Sequence, residues 1–348
     1  ATLGRIVDPP ATPPRRSRLP HVPGLDGLRA VCLVAVLLYH SGFGWARGGF
    51  LGVSTFFTLS GFLISTVLLF QVRGGGRVDL RGFWAGRARR LLPAALATFA
   101  LVVAFARFAA SPGHLVGLRQ ELWASAAVVI NWHLAAVGSS YGNTADSSPV
   151  QHLWSLAVEE QFYLVLPLAV LGAVVLARRL GTAPRVVLGV AAGVVAVASS
   201  LALARAADGD DVTFAYYATH TRAAELLVGV VLACLLPRLV LSRSRAVGAL
   251  PVVAVVGAVG LVAAWALVAQ TDPGLYRGGL ALYALGSAAV ILGCLYRGPV
   301  RTALEWRPLR WVGRISYGAY LYHWPIFLWV TAESTGLDPV PLLVTRVG

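Results

Sequence analysis

Apolar stretches long enough to cross a bilayer recur near residues 25–43, 51–71, 91–109, 152–176, 186–206, 220–240, 246–269, 278–296 and 314–332. At a rise of 1.5 Å per residue, about 20 residues cover the ~30 Å hydrocarbon core. There every backbone N–H and C=O must be paired internally, so spanning segments fold as helices or as closed barrels. The alternating ten-residue segments of a barrel are absent. Charged residues make up 13% of the chain and mean hydropathy is +0.72, whereas soluble proteins carry about 25% charge. The expected fold is therefore an all-α polytopic membrane protein, a bundle of about ten transmembrane helices. The tenth begins near 340 and is truncated. Residues 1–24, rich in Pro and Arg, read as a disordered cytoplasmic tail, and 25–348 as one transmembrane domain with an incomplete C-terminal end. The chain has no Met and begins with Ala, so a trimmed chain or a fragment is expected.

The formal charge of +14 comes from arginine alone, since no Lys occurs. Its placement points to membrane topology and not to nucleic acid. One set of connections holds Arg15, Arg16 and Arg18; Arg73, Arg77, Arg81, Arg87, Arg89 and Arg90; Arg178, Arg179 and Arg185; Arg238, Arg243 and Arg245; and Arg297, Arg301, Arg307 and Arg310. The opposite set holds Asp146, Asp208, Asp210, Asp211, Asp272 and Asp338. The positive-inside rule makes the first set, and the N-terminus, cytoplasmic. This alternation requires that the apolar stretch near 119–137 does not cross, so a re-entrant or interfacial helix on the external side is predicted there. Cys32, Cys234 and Cys294 sit in apolar segments at unrelated spacings and read as buried small hydrophobes, with no metal site implied.

Polar residues inside such segments are costly and mark function. Arg29 and His40 flank an uncharged run. Eleven helical steps of ~100° return to nearly the same face, with the two residues roughly 16 Å apart along the axis. They suggest a polar stripe through most of a bilayer. Arg87 and Arg90 share a face at the entrance to the third helix, where paired guanidinium groups suit phosphates. His152, Ser155 and Glu159 follow at i, i+3 and i+7. This stripe suits orientation of a substrate or a catalytic His better than a nucleophilic triad, because such a Ser usually sits at a strained turn. Ser316, Tyr320 and His323 form another stripe, with Pro325 expected to kink the helix behind them. Arg222 and Glu225 read as a neutralised structural pair.

In order along the chain, these segments resemble the acyltransferase-3 family of integral membrane acyltransferases. The resemblance rests on Leu25-Asp-Gly-Leu-Arg-Ala30 with His40, Gly48 to Val53 with Phe56 to Ile64, and Arg87 to Pro93. It continues through His152 to Tyr163, Thr221-Arg222 with Glu225, and Ile315 to Pro325. It implies transfer of an acyl group, often acetyl, from cytosolic acyl-CoA to a hydroxyl of an extracytoplasmic glycan, glycolipid or related acceptor, in a bacterial cytoplasmic membrane. The family's Arg-x10-His pair falls on Arg29 and His40, and its Arg-x-x-Arg on Arg87 and Arg90. Where members commonly carry Asp after Gly-Val in the second helix, this chain has Ser54, so no role of that Asp is carried over. The chain also stops before the family's usual close of the tenth helix, and some members continue into an SGNH hydrolase-like domain.

The expected mechanism assigns catalysis to His40, Arg29, Glu159 and His152, with His40 as general base. Arg87, Arg90 and Arg29 hold the donor, acyl-CoA. Ser155, Tyr163, Ser316 and His323 bind or orient substrate. A covalent acyl-histidine relay is a competing route. The alternative function is transport of an anion or acylated lipid along the same Arg/His path, disfavoured by the lack of an internal repeat. An intramembrane serine protease built on Ser60-Gly61 lacks a convincing sequence context.

Overall fold

The structure is a computed structural model that describes residues 21–75, 78–139, 147–208, 212–241 and 245–347. Helices and turns account for it, with no strand among the described residues. The long helices are α1 (Pro23–His40), α2 (Gly52–Gly75), α3 (Leu80–Phe108), then the short α4 (Leu118–Ala126) and α5 (Ile130–Ala136). They continue with α6 (Leu153–Arg179), α7 (Pro184–Ala206), α8 (Thr219–Leu241), α9 (Arg245–Leu267), α10 (Leu280–Leu295), α11 (Arg307–Trp329) and α12 (Pro339–Val347). Among the described residues, eight helices are long and apolar enough to cross a membrane. α11 is equally long at 23 residues but carries Arg307, Arg310 and Arg314. The all-α membrane bundle expected from the sequence is the fold observed. Residues 1–20 of the expected tail lie outside the described residues, as do Arg77, Arg243, Asp146, Asp210 and Asp211 of the topology count.

Two boundaries differ in an informative way. α3 starts eleven residues before the expected 91, because Asp79 caps it: its carboxylate accepts the Gly82 N–H at 2.9 Å. The arginine run is therefore helical, and Arg87 and Arg90 are held on a rigid element. The stretch near 119–137 is two helices, α4 and α5, separated by Val128 with φ +61°. A β-branched residue in that region is costly and ends the helix. Neither piece is long enough to span. The connection also returns to the end of the bundle it left. Phe105, near the end of α3, packs its ring on Trp329 at 6.3 Å, and His152, at the start of α6, bonds the Leu321 carbonyl of the same helix α11.

The core is held by close backbone crossings. α8 packs against α2 and α7. At the α2–α8 crossing a side chain on Gly61 would lie 1.9 Å from the Leu226 carbonyl, and one on Gly229 would lie 2.0 Å from that of Thr58. Only glycine permits this approach, which in lipid replaces the missing hydrophobic drive with close packing. α3, by contrast, leans mainly on α11 and buries few residues, among them Phe83, Thr98, Val102 and Phe105.

Candidate active site

α1 and α11 run parallel and cross at Gly313, where a Cβ would lie 1.8 Å from the Asp26 carbonyl. That crossing aligns the two polar stripes. Arg29 lies beside the start of α11, and His40 beside His323. The polar residues then divide between two places.

The first is a cavity of about 100 Å³ among α1, α2, α3, α6 and α11. Its lining includes Arg29, Arg87, Arg90 and Arg314, against Glu159 and Glu160. Glu159 is engaged: Ser60 Oγ donates to Oε1 at 2.8 Å and the Tyr163 hydroxyl to Oε2 at 3.0 Å. The Arg87 guanidinium lies over the Tyr163 ring, 3.7 Å from its centroid, and its Nε is buried without a hydrogen-bond partner among the described residues. Arg29 meets the carboxylate of Asp26 at 3.8 Å, and that carboxylate is also held by His21 at 2.8 Å. The cavity thus has cationic groups in excess of its carboxylates, with donors to spare. This chemistry suits a polyanion such as a phosphate ester.

The second place is a buried histidine cluster. His40 Nδ1 lies 3.1 Å from His323 Nε2, with the two rings stacked at 5.2 Å. His152 sets its ring edge-on to His323 at 5.6 Å. Pro325 explains how His152 is anchored. Proline has no N–H, so the carbonyl four residues earlier, on Leu321, loses its helical donor. His152 Nε2–H takes that place at 2.9 Å. Its Nδ1 is buried and finds no partner among the described residues. Trp324 covers His40 at 4.7 Å and donates Nε1–H to the Ser148 carbonyl at 2.8 Å, which pins the non-crossing connection over the cluster. In that connection Ser148 Oγ donates to Glu121, whose carboxyl is raised by burial, opposed by this hydrogen bond.

Ser155 and Tyr320 stand between the two. Both line the cavity, and their hydroxyls meet at 2.7 Å. Tyr320 also donates to the His152 carbonyl at 3.1 Å and sets its ring, tilted, against His323 at 5.3 Å. The structure therefore brings Arg29, Arg87, Arg90, Ser155, Glu159, Tyr163 and Ser316 together in the cavity, while His40, His152 and His323 form the cluster. Ser316 Oγ is tied to the Gly313 carbonyl at 2.8 Å. The stripe on α1 is not a continuous polar path. Leu33 and Val36, between Arg29 and His40, are buried in the apolar core, and the polar link runs across α6 and α11 instead. Glu159 serves Ser60 and Tyr163, and the imidazole bonded to His40 is that of His323.

Sequence reasoning gave no site role to Glu160, Arg314 and Tyr317, and met Ser60 only in the protease alternative. Tyr320 was legible on the α11 stripe. Ser60 and Glu160 gave no periodic signal, because what they face is set by the helix crossings. Arg222 and Glu225 form the expected structural pair, at 2.8 Å and 1% exposed, outside the cavity. Arg222 also donates to Ser54 Oγ at 3.2 Å, so the residue at the family's Asp position still touches this pair. Cys32, Cys234 and Cys294 are free and buried. Among the described residues no group of three His, Cys, Asp or Glu side chains is arranged to hold a metal ion.

A family model described as an acyltransferase domain matches residues 22–345. The chain belongs to the acyltransferase-3 family. This acyltransferase-3 chain is similar to the peptidoglycan O-acetyltransferase OatA of Listeria monocytogenes, with 36% identity over 318 residues, covering 89% of this chain and 50% of that protein. It is similar to the O-acetyltransferase OatA of Staphylococcus aureus (strain NCTC 8325 / PS 47), 31% identical over 332 residues, covering 94% and 54%. YrhL of Bacillus subtilis is 38% identical over 338 residues, covering 92% and 51%. The chain spans about half the length of the curated relatives it matches. No solved structure matches it. The apolar helices and bacterial relatives make it a multi-pass protein of a bacterial membrane.

Proposed function

We propose that this chain transfers an acetyl or other short acyl group from acyl-CoA to a hydroxyl of a glycan outside the cytoplasm, with peptidoglycan as the first candidate. The observation that carries this reading is the arginine-lined cavity ending at Ser155 and Tyr320, with a histidine cluster directly behind them. The names of the OatA relatives point to the same chemistry. Arg87 and Arg90 hold the donor's phosphates at the cytoplasmic end, with Arg29 and Arg314 on the same wall. The pantetheine arm extends along the cavity toward Ser155. At the opposite end His40 is the general base on the acceptor hydroxyl, and His152 offers its bare Nδ1 to orient it. The arginine-rich end faces the cytoplasm, in keeping with the positive-inside rule.

The test is to reconstitute the full-length protein in liposomes with radiolabelled acetyl-CoA and soluble peptidoglycan fragments. Label recovered as an alkali-labile ester on the glycan supports the proposal. Tight CoA binding with no transfer to any glycan would count against it.

A further inference from the structure

α3 is fastened to its neighbours near both ends and at one point between. Trp84 Nε1–H donates to the Tyr163 carbonyl of α6 at 3.1 Å, the Tyr317 hydroxyl of α11 donates to the Leu91 carbonyl at 3.3 Å, and Phe105 meets Trp329. Elsewhere α3 stands off from α6 and leaves a chamber of about 330 Å³, more than three times the volume of the arginine cavity. Leu92 of α3 and Leu164 of α6 line the chamber and are more than half exposed, so it opens sideways to the bilayer. Apart from Trp84, its polar lining is confined to two places. One is the wall shared with the arginine cavity, with Arg87, Glu160, Tyr163 and Tyr317; the other is Ser125 at the far end. Such a gap, left empty, would forfeit the dispersion contacts of its lining. In a bilayer the material at hand to fill it is hydrocarbon.

The order of residues along α3 says which hydrocarbon. Trp84, Ala88, Leu92, Ala95 and Phe99 line the chamber, and their spacings of three and four make them one stripe of the helix. One step of three earlier on that stripe is Arg81, exposed at the arginine-rich end. From that end inward the stripe reads cation, indole, then small and apolar side chains. A phospholipid has the same order, from phosphate through the interface to its chains. From Ala88 to Phe99 the stripe rises ~16 Å, about half of the ~30 Å hydrocarbon core, which is the reach of a chain from one leaflet. The far end of the lining, at Ser125, Ala126 and Val128, presents no cation. We propose that this chamber is a binding site for one anionic phospholipid of the leaflet on the arginine-rich side, with its phosphate at Arg81 and one chain between α3 and α6. The site goes beyond the acyl-transfer reading, and neither Arg81 nor Ala95 has a part in that reaction.

The test is native mass spectrometry of the full-length protein, released from nanodiscs made of equal parts phosphatidylglycerol and phosphatidylcholine. Wild type should keep one phosphatidylglycerol under conditions that strip the other lipids. Ala95→Trp fills the chamber and should lose that lipid, with a melting curve to show that the variant is folded. Arg81→Gln changes an exposed side chain and leaves the chamber intact. It should weaken retention of phosphatidylglycerol about fivefold, the worth of one arginine at an anionic surface, and leave phosphatidylcholine unaffected. Wild-type protein that keeps no lipid, or keeps the two lipids equally, overturns the proposal. So does a folded Ala95→Trp variant that holds phosphatidylglycerol as wild type does. Should Ala95→Trp fail to fold, Arg81→Gln decides, and unchanged retention in it overturns the proposal. Palmitoyl-CoA added in competition should leave the retained lipid in place; its retention instead of phosphatidylglycerol would give the chamber to the donor's acyl chain and overturn the assignment to a phospholipid.

Discussion

The two polar regions of this bundle are built on opposite terms. The arginine cavity is partly open, and its side chains keep unspent donors: Arg90 and Arg314 are exposed, and Arg87 Nε has no partner among the described residues. The histidine cluster is closed, with His40, His152 and His323 all below a tenth exposed. Each of its three rings is held by a neighbouring ring or a backbone carbonyl. A region that captures a polyanion from water gains from loose, long cationic side chains. A region that moves one proton gains from rings that cannot turn. In the proposed function this contrast assigns binding to one end of α1 and chemistry to the other.

The largest expected effect tests that separation at its chemical end. His40→Ala should cut acyl transfer by about 10²–10⁴-fold, the range of a lost general base, while calorimetric binding of CoA stays at the wild-type value. Equal loss of binding would erase the distinction between the two regions. At the other end, Arg87→Ala and Arg90→Ala should each weaken CoA binding by about 10–100-fold, given ~1.5–3 kcal/mol per charge-assisted hydrogen bond. Turnover at saturating donor should persist, so unchanged CoA affinity would reduce both residues to a topological role.

The junction calls for a smaller effect. Tyr320→Phe removes the hydroxyl shared with Ser155 and the His152 carbonyl. A slowing of about tenfold in kcat is expected from loosened alignment, with donor binding intact, measured by single-turnover kinetics. Pro325→Ala gives the Leu321 carbonyl a backbone donor again and frees His152 from its anchor. Turnover should fall while melting temperature holds or rises; a drop in both would make Pro325 a packing residue only. The smallest effect concerns Glu121, in the connection over the cluster. Its raised pKa means the protonated form suits the fold, so its contribution to stability is full below pH 4.5 and is lost as pH rises through the folded value. Glu121→Gln should therefore raise the melting temperature at neutral pH and flatten its dependence on pH.

Much of the site was legible along single helices. Periodicity of 3.6 residues put Arg29 with His40, Arg87 with Arg90, and His152 with Ser155 and Glu159 on common faces; Arg29, Arg87, Arg90, Ser155 and Glu159 line the cavity, while His40 and His152 lie in the cluster. What a face meets was not legible. Glu159 and His152 share one stripe of α6 yet end in different regions, because the stripe runs past the junction at Ser155. His323, a lone histidine among aromatics, carried no sign that it would touch His40.

The residues along the chain determined a helical membrane bundle and its family motifs, because unpaired backbone in hydrocarbon is too costly for other folds. They also determined that residues 119–137 should not cross, through the distribution of arginine. Only the tertiary structure decided which polar stripes meet. Glycine crossings at Gly61, Gly229 and Gly313 set helix spacing to within backbone contact, and one missing N–H at Pro325 freed the carbonyl that holds His152. The Gly313 crossing, for one, joins residues 287 positions apart, 313 and 26. Helical period reports the face a side chain occupies, while its partner depends on the angle and depth at which another helix crosses that face.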